Sequence, residues 1–174
     1  MKKSAKANYI FNVSYQLCAI IVPIITTPYV SRVLGVDGVG TNSYTYSIVR
    51  YFLILAALGT ASYGAKIIGI NQDDKEARSI KFWELFIFRT ILTVAMIILY
   101  YLYVIFCADN KLISSLQGIY LLGILFDISW LFQGLEDFKK ISIRNFIIKI
   151  INVIYIFTVV KTASDLPKYV FGLA

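Results

Sequence analysis

The sequence contains no histidine, only two cysteines and three prolines, and only 16% of its residues are charged. Without histidine, zinc sites and histidine-based acid–base catalysis lose their usual residue. Cys18 and Cys107 show no metal-ligand spacing and lie at different expected depths, so we expect neither a disulfide nor a metal site. No ATP-binding motif is present, and we expect no cofactor and no enzymatic activity.

Apolar residues, by contrast, are abundant. They make up 59% of the 174 residues and give a mean hydropathy of +0.73, whereas a soluble domain is about 45–50% apolar. Five apolar stretches approach or exceed the roughly 17–25 residues that a helix needs to cross a bilayer. The sequence therefore predicts an all-α integral membrane protein, a multi-span helical bundle with antiparallel spans at about 9–30, 43–64, 82–106, 112–132 and 143–160.

The final residues, PKYVFGLA (167–174), become apolar again and stop without a polar tail. This pattern predicts the start of a sixth span at about 169–174. We therefore expect the chain to be part of a longer membrane protein.

Basic residues indicate the orientation of the spans. The isoelectric point near 9.4 does not indicate a nucleic-acid partner, because the cations flank the spans and form no basic face with interleaved aromatics. Most of the 17 lysines and arginines share the side of the N-terminus, so the positive-inside rule predicts a multi-pass protein of the cytoplasmic membrane with a cytoplasmic N-terminus. This group comprises Lys2, Lys3, Lys6, Lys66, Lys75, Arg78, Lys81, Lys139, Lys140, Arg144 and Lys149.

Arg50 is one of the charges that the sequence places inside a span. At about 1.5 Å per residue it lies roughly 10 Å inside span two, with no acid within a helical turn. Each intramembrane charge costs about 2.5–3.5 kcal/mol, so it must pair or face protein or water. Arg50 is either a guanidinium that binds an anion in a water-filled cavity or a structural residue with a partner elsewhere. We prefer anion binding, because arginines inside a membrane usually have a function.

Arg89 and Asp127 are two further charges inside the predicted spans. They lie roughly 10 Å and 8 Å from the inner ends of spans three and four, and consecutive antiparallel spans are usually neighbours. The sequence predicts a buried ion pair that fixes the packing of these spans, with a proton relay through Asp127 as the alternative. Arg32 ends span one, where snorkelling to the interface and a place at a cavity mouth are equally compatible with its position.

Two further sets of residues follow a helical pattern. Gly123, Asp127, Trp130 and Gly134 are spaced by 4, 3 and 4 residues, which predicts one stripe that faces protein and allows another helix to approach. Tyrosines near the start of span two are typical of an interfacial aromatic belt, with sugar stacking as the alternative. They are Tyr44, Tyr46 and Tyr51.

A family resemblance rests on five segments. They are PYVSRVLG (28–35), GVGTNSYTYSIVRYF (38–52), LGTASYGAK (58–66), FWELFIFRTIL (82–92) and DISWLFQGLEDFKKISIRN (127–145). Together they resemble the N-terminal portion of polysaccharide-biosynthesis flippases, the Wzx type of oligosaccharide transporter in the MATE-like superfamily. One departure is Lys66, where the pattern leads us to expect arginine, which alone makes a bidentate anion contact.

The resemblance implies an incomplete N-terminal lobe of a MATE-like flippase fold. It implies translocation of an undecaprenyl-pyrophosphate-linked oligosaccharide across the cytoplasmic membrane for O-antigen, capsule or exopolysaccharide synthesis. It also assigns substrate binding to Arg50 and Arg32, with membrane lipid and the polysaccharide polymerase machinery as further partners. The alternatives are a MATE-like exporter of small molecules, which would need acids in its cavity, and a truncated membrane protein that transports nothing.

Overall fold

The chain is helical throughout the part that can be described. The computed structural model describes the backbone of residues 5–174 and the side chains of residues 13, 16 and 19–174, and these residues contain no β-strand. The α-helices are α1 (Ala5–Ala57), α2 (Thr60–Ile70), α3 (Lys75–Phe106), α4 (Lys111–Gln117), α5 (Ile119–Phe126), α6 (Ser129–Gly134), α7 (Phe138–Val159) and α8 (Leu166–Leu173), with a 3-10 helix (Ala163–Asp165) before α8. The predicted all-α fold class is confirmed.

Four helical segments in the described part of the chain are long and apolar enough to cross a membrane. The first, with 52 residues, is about 78 Å long as a helix, more than twice the roughly 30 Å of a hydrocarbon core. Its length therefore suits the two spans that the sequence predicts there. The protein is a multi-pass membrane protein, with segments at Ala19–Ile70, Lys75–Phe106, Lys111–Gly134 and Phe138–Val159.

The interruptions between helices differ from those that the predicted spans imply. Between predicted spans one and two, at 31–42, only Gly35 leaves helical geometry (φ 70°, ψ 179°), a conformation open to glycine because it has no Cβ. The helix that contains Arg50 ends at Ala57, before the predicted end of span two, and Leu58 and Gly59 have positive φ. Lys66 consequently lies in α2 and not in a loop.

The chain forms two compact units, of which the first contains residues up to Val39 and Asp137–Leu173. Its core joins α1 to α7, and the Tyr29 hydroxyl donates a hydrogen bond to the Val160 carbonyl over 2.8 Å. A second bond, from the Tyr155 hydroxyl to the Lys168 carbonyl, fastens α8 to α7. The buried apolar residues of this unit are Val30, Leu34, Ile156 and Val160.

The second unit contains Gly40–Glu136 and has two apolar clusters. One cluster joins the end of α1 to α3 and α5, and the other joins α2 to α3 and α6. A Cβ at Gly134 would lie 2.6 Å from the Ala65 carbonyl oxygen, so only glycine allows α6 to approach α2 this closely. The buried residues are Val49, Ala56, Tyr100, Val104, Ala108 and Leu121 in one cluster, and Ile68, Leu85 and Trp130 in the other.

The predicted fourth span is divided into α4, α5 and α6. Between α5 and α6, Asp127 takes an extended conformation (φ −77°, ψ 101°). The predicted single stripe is therefore wrong at its first residue: Trp130 and Gly134 are buried, but Gly123 is exposed and nothing lies within 4 Å of its Cβ position. The helical spacing does not continue through the break.

Candidate functional site

Arg89 and Asp127 lie together in the second unit. Arg89 projects from α3 and is 4% exposed, and its Nη1 donates a hydrogen bond to the Asp127 carbonyl oxygen over 2.9 Å. Its Nη2 lies 4.0 Å from the Asp127 carboxylate. The structure therefore brings the predicted partners together, with the shorter contact at the backbone carbonyl.

The helix break explains this contact. The Leu131 N–H bonds to the Ile128 carbonyl, not to the carbonyl of Asp127, which is left for another donor. Arg89 supplies that donor, and the bond gives this buried guanidinium a hydrogen-bond partner. The role of the two charges in fixing helix packing stays a prediction.

The Asp127 carboxylate has a second function at the break. Its Oδ1 accepts hydrogen bonds from the Ser129 backbone N–H, over 3.1 Å, and from the Ser129 hydroxyl. Short aspartate side chains often bind the backbone two residues ahead and so start a new helix. Asp127 thus holds the first turn of α6, while 41% of its side chain stays exposed.

Arg50 has entirely different surroundings. It is exposed on α1 and lines a surface cleft of 350 Å³ with Ser47, Tyr51 and Ile54. Among the residues that the structure describes, none forms a hydrogen bond or an ion pair with its guanidinium. The five donors of this group are therefore available to a ligand.

Arg32, the other predicted substrate residue, belongs to the first unit. Its side chain is exposed on α1 and is not among the residues that line the Arg50 cleft. No bond joins its guanidinium to a described residue.

The sequence interpretation missed a polar network in the second unit. Gln117 is 1% exposed, and its Nε2 donates to Asn42 Oδ1 over 3.0 Å and to Thr45 Oγ1 over 3.4 Å. These bonds tie α4 to α1 inside an otherwise apolar region. An isolated glutamine in span four was the available signal, but its sequence position did not show which helix it contacts.

Comparison with known proteins identifies the family. The sequence matches the family of polysaccharide biosynthesis proteins over residues 5–174. The chain belongs to this family. This confirms, at the level of the family, the resemblance to polysaccharide-biosynthesis flippases.

Two curated relatives carry more specific names. The chain is 26% identical over 167 residues to a putative O-antigen transporter of Shigella dysenteriae. It is 24% identical over 169 residues to a putative O-antigen transporter of Escherichia coli strain K12. Both alignments cover 95% of this chain but only 39% and 40% of the relatives, so the chain spans about two fifths of their length. No solved structure matches the chain.

Proposed function

We propose that this protein acts in a flippase that moves an undecaprenyl-pyrophosphate-linked oligosaccharide across the cytoplasmic membrane for surface polysaccharide synthesis. The observation that carries the proposal is Arg50, an exposed guanidinium on a long apolar helix with no partner among the described residues. Membership of the polysaccharide biosynthesis family supports the substrate class. The two relatives are named as putative O-antigen transporters, which also supports a surface glycan as the substrate.

A pyrophosphate needs such a cation. Two linked phosphates that leave water for a cavity of low dielectric lose hydration, and a fixed positive charge offsets that cost. The planar guanidinium fork matches phosphate oxygens in a bidentate geometry, which the ammonium of lysine cannot do. Tyr51, which lines the same cleft, offers a hydroxyl donor beside Arg50.

Export of cationic small molecules is the rival function. Such a transporter would need an acid that is open to its substrate inside a span. Two acids lie within the predicted spans. Glu84, near the inner end of span three, accepts a bond from the Lys81 ammonium over 2.8 Å, and Asp127 accepts bonds from Ser129 and lies beside Arg89. The charges inside the spans therefore favour an anionic substrate.

The decisive experiment compares three arginine variants in the protein as the cell makes it. Arg50→Ala should abolish display of the glycan at the cell surface while the variant reaches the membrane at its normal level. Arg50→Lys should be partly active, because it keeps the charge and loses the fork. Arg144→Ala is the matched control, since this exposed arginine is bound locally to Asn145, and it should leave display near normal. Wild-type display by Arg50→Ala at normal expression would remove Arg50 from the proposed mechanism.

Orientation is tested separately. We propose that the N-terminus is cytoplasmic, which places Asp37 outside and Asp74 inside. Both side chains are exposed, so cysteines at these positions can react with a membrane-impermeant maleimide in a background without Cys18 and Cys107. Labelling of Asp37→Cys in intact cells is expected, and labelling of Asp74→Cys from outside would reverse the assignment.

A further inference from the structure

A second pocket in the second unit is lined by aromatic, hydroxyl and acidic side chains that binding of a pyrophosphate does not require. This Tyr44 pocket, with a volume of 320 Å³, lies where α1, the end of α3 and the start of α4 meet. Its volume is at the lower end of the roughly 300–1,000 Å³ typical of small-ligand sites. The residues that give it its chemical character are Thr41, Tyr44, Tyr103, Asp109 and Asn110.

Two tyrosines provide the aromatic part of the pocket. Tyr44 is 56% exposed, whereas Tyr103 is half-buried and is held at ring-centroid distances of 6.3 Å from Phe52 and 6.2 Å from Tyr100. Each tyrosine offers an apolar ring face and a hydroxyl group. The apolar C–H face of a sugar ring packs on such a surface while its hydroxyls bind the polar groups around it.

Polar groups converge beside these rings. Asp109 and Asn110 are exposed in the turn before α4, and both line the pocket together with Tyr103. Asn110 is oriented because its Oδ1 accepts a bond from the Ile113 N–H over 3.1 Å, which leaves its NH₂ group free to donate. A carboxylate acceptor next to an amide donor suits the adjacent hydroxyls of a sugar, which both donate and accept hydrogen bonds.

The floor of the pocket is held in place by buried bonds. Thr45 lines the pocket and accepts a bond from Gln117, while the carbonyl of Ser114, another lining residue, accepts a bond from the Tyr100 hydroxyl over 2.7 Å. Gln117 also carries a buried acceptor, Oε1, with no hydrogen-bond partner among the described residues. A preformed polar floor lowers the entropy cost of binding a ligand.

The charge of the pocket argues against the other occupants. Asp109 is the charged residue of the lining, and it repels phosphate and other anions. A lipid acyl chain would cover the exposed Asp109 carboxylate and Asn110 amide and offer them no hydrogen bond, which is unfavourable.

A stripe on α1 connects this pocket with Arg50. Tyr44, Ser47 and Tyr51 are spaced by 3 and 4 residues and are all exposed, so they lie on one face of the helix. Ser47 and Tyr51 also line the Arg50 cleft. The distance from Tyr44 to Tyr51 along the helix is roughly 10 Å.

We propose that the Tyr44 pocket binds an uncharged sugar ring of the lipid-linked substrate while Arg50 binds its pyrophosphate. Tyr44 and Tyr103 contact the ring, and Asp109 and Asn110 bind its hydroxyls. This assignment rests on the proposed flippase function, and it adds a site that distinguishes one glycan from another. The hydroxyl-binding pair, Asp109 and Asn110, is the part that sets this selectivity.

The test measures sugar binding without transport. The probe is the phosphate-free repeat oligosaccharide hydrolysed from the cell's own surface polysaccharide, and its binding to the full-length protein in detergent is followed by saturation-transfer difference NMR. Tyr44→Ala and Asp109→Ala should each weaken binding about tenfold or more, because each removes contacts worth about 1.5 kcal/mol or more. Tyr63→Ala is the matched control, since Tyr63 is 57% exposed and Tyr44 is 56% exposed, and it should bind as the wild type does.

Separate results would overturn the site and the proposed function. Unchanged binding by Tyr44→Ala and Asp109→Ala, or no sugar signal with the wild type, would overturn the sugar site. Calcium binding that Asp109→Ala removes, without a sugar signal, would identify a cation site instead and would also overturn it. The flippase function has its own readout: normal surface display by cells that lack the protein refutes it whatever the NMR experiment shows.

Discussion

Arg50 and Arg89 have the same side chain but opposite surroundings, since one guanidinium is exposed and the other is buried and bonded. Both lie on long apolar helices of the second unit, and the sequence places each roughly 10 Å from a span end. Arg89 is 4% exposed and bonded to the Asp127 carbonyl, whereas Arg50 is exposed and has no partner among the described residues. Depth in the membrane therefore does not determine what an arginine does; the neighbouring groups determine it.

The difference has an energetic meaning. The hydrogen bond to the Asp127 carbonyl offsets part of the free energy that Arg89 loses when its guanidinium leaves water. No described residue binds the Arg50 guanidinium, so water or a ligand must offset its desolvation free energy. The first arginine stabilises the fold, and the second, on our proposal, stabilises the bound substrate.

The largest effect on stability is expected from the arginine that has a partner. Arg89→Ala should lower the free energy of unfolding by about 2–4 kcal/mol, because it leaves a cavity in place of a buried side chain and removes its hydrogen bond to Asp127. Arg50→Ala should change it by less than about 0.5 kcal/mol. Reversible unfolding of the detergent-solubilised variants measures both values, and equal losses would remove the contrast between the two sites.

The helix break at Asp127 also separates Gly123, in α5, from Gly134, in α6. Gly134→Ala should cost about 1–3 kcal/mol, because the new methyl group would lie 2.6 Å from the Ala65 carbonyl oxygen and force the helices apart. Gly123→Ala meets nothing within 4 Å and should leave stability unchanged or raise it by up to about 1 kcal/mol. The same unfolding assay compares them, and a similar loss for both would indicate an unbroken stripe.

A smaller effect is expected from the charge of Asp127 itself. Its carboxylate is 41% exposed and 4.0 Å from Arg89 Nη2, a distance and exposure at which ion pairs contribute less than about 1 kcal/mol. Asp127→Asn keeps the bonds to Ser129 and removes the charge, so a double-mutant cycle with Arg89→Ala isolates the pair. A coupling energy well above this value would show that the ion pair outweighs the carbonyl contact.

The smallest expected effect on stability concerns Asp165, a carboxylate that lies outside the membrane segments and accepts several hydrogen bonds. The Lys168 ammonium donates to its carboxylate over 2.7 Å, and the Lys161 and Thr162 N–H groups also donate to it. These contacts hold the pKa of Asp165 well below its ordinary value. A lowered pKa contributes stability at neutral pH that is lost as the pH falls below about 4.

Melting curves between pH 7 and pH 3 test this contribution. The wild type should lose slightly more stability in acid than Asp165→Asn does, because the variant has no carboxylate to protonate. Identical acid dependence of the two proteins would show that the bonds to Asp165 do not stabilise the fold.

Much of the fold could be predicted from hydrophobicity alone. The five apolar stretches are mainly helical, with breaks at Leu58–Gly59 in the second and at Gly118 and Asp127–Ile128 in the fourth, and the Asp127–Arg89 proximity followed from similar depth on consecutive spans. The break at Asp127 could not be predicted, because an apolar sequence has the same pattern in a continuous helix and in a divided one. The predicted ion pair was for that reason incomplete: its shortest bond goes to a carbonyl that only the break makes available.

The Tyr44 pocket could not be predicted for a related reason. Tyr44 and Tyr103 are separated by 59 positions, and Asp109 lies between predicted spans three and four. Their proximity depends on how the end of α3 packs against α1, which is decided by contacts among buried residues such as Val49, Tyr100 and Val104.

The sequence by itself determined that the protein is an all-α membrane protein and which family it resembles, whereas the charges that it places inside the spans stay a prediction. These properties depend on composition and local spacing. Lipid offers no hydrogen bonds, and a helix satisfies the backbone N–H and C=O groups of an apolar segment within that segment. Only the tertiary structure decided that Arg89 is bonded, that Arg50 is open and that Tyr44 shares a pocket with Asp109. A side chain's partner depends on which helix lies beside it and where that helix breaks, and neither is encoded in the hydrophobic period of a single segment.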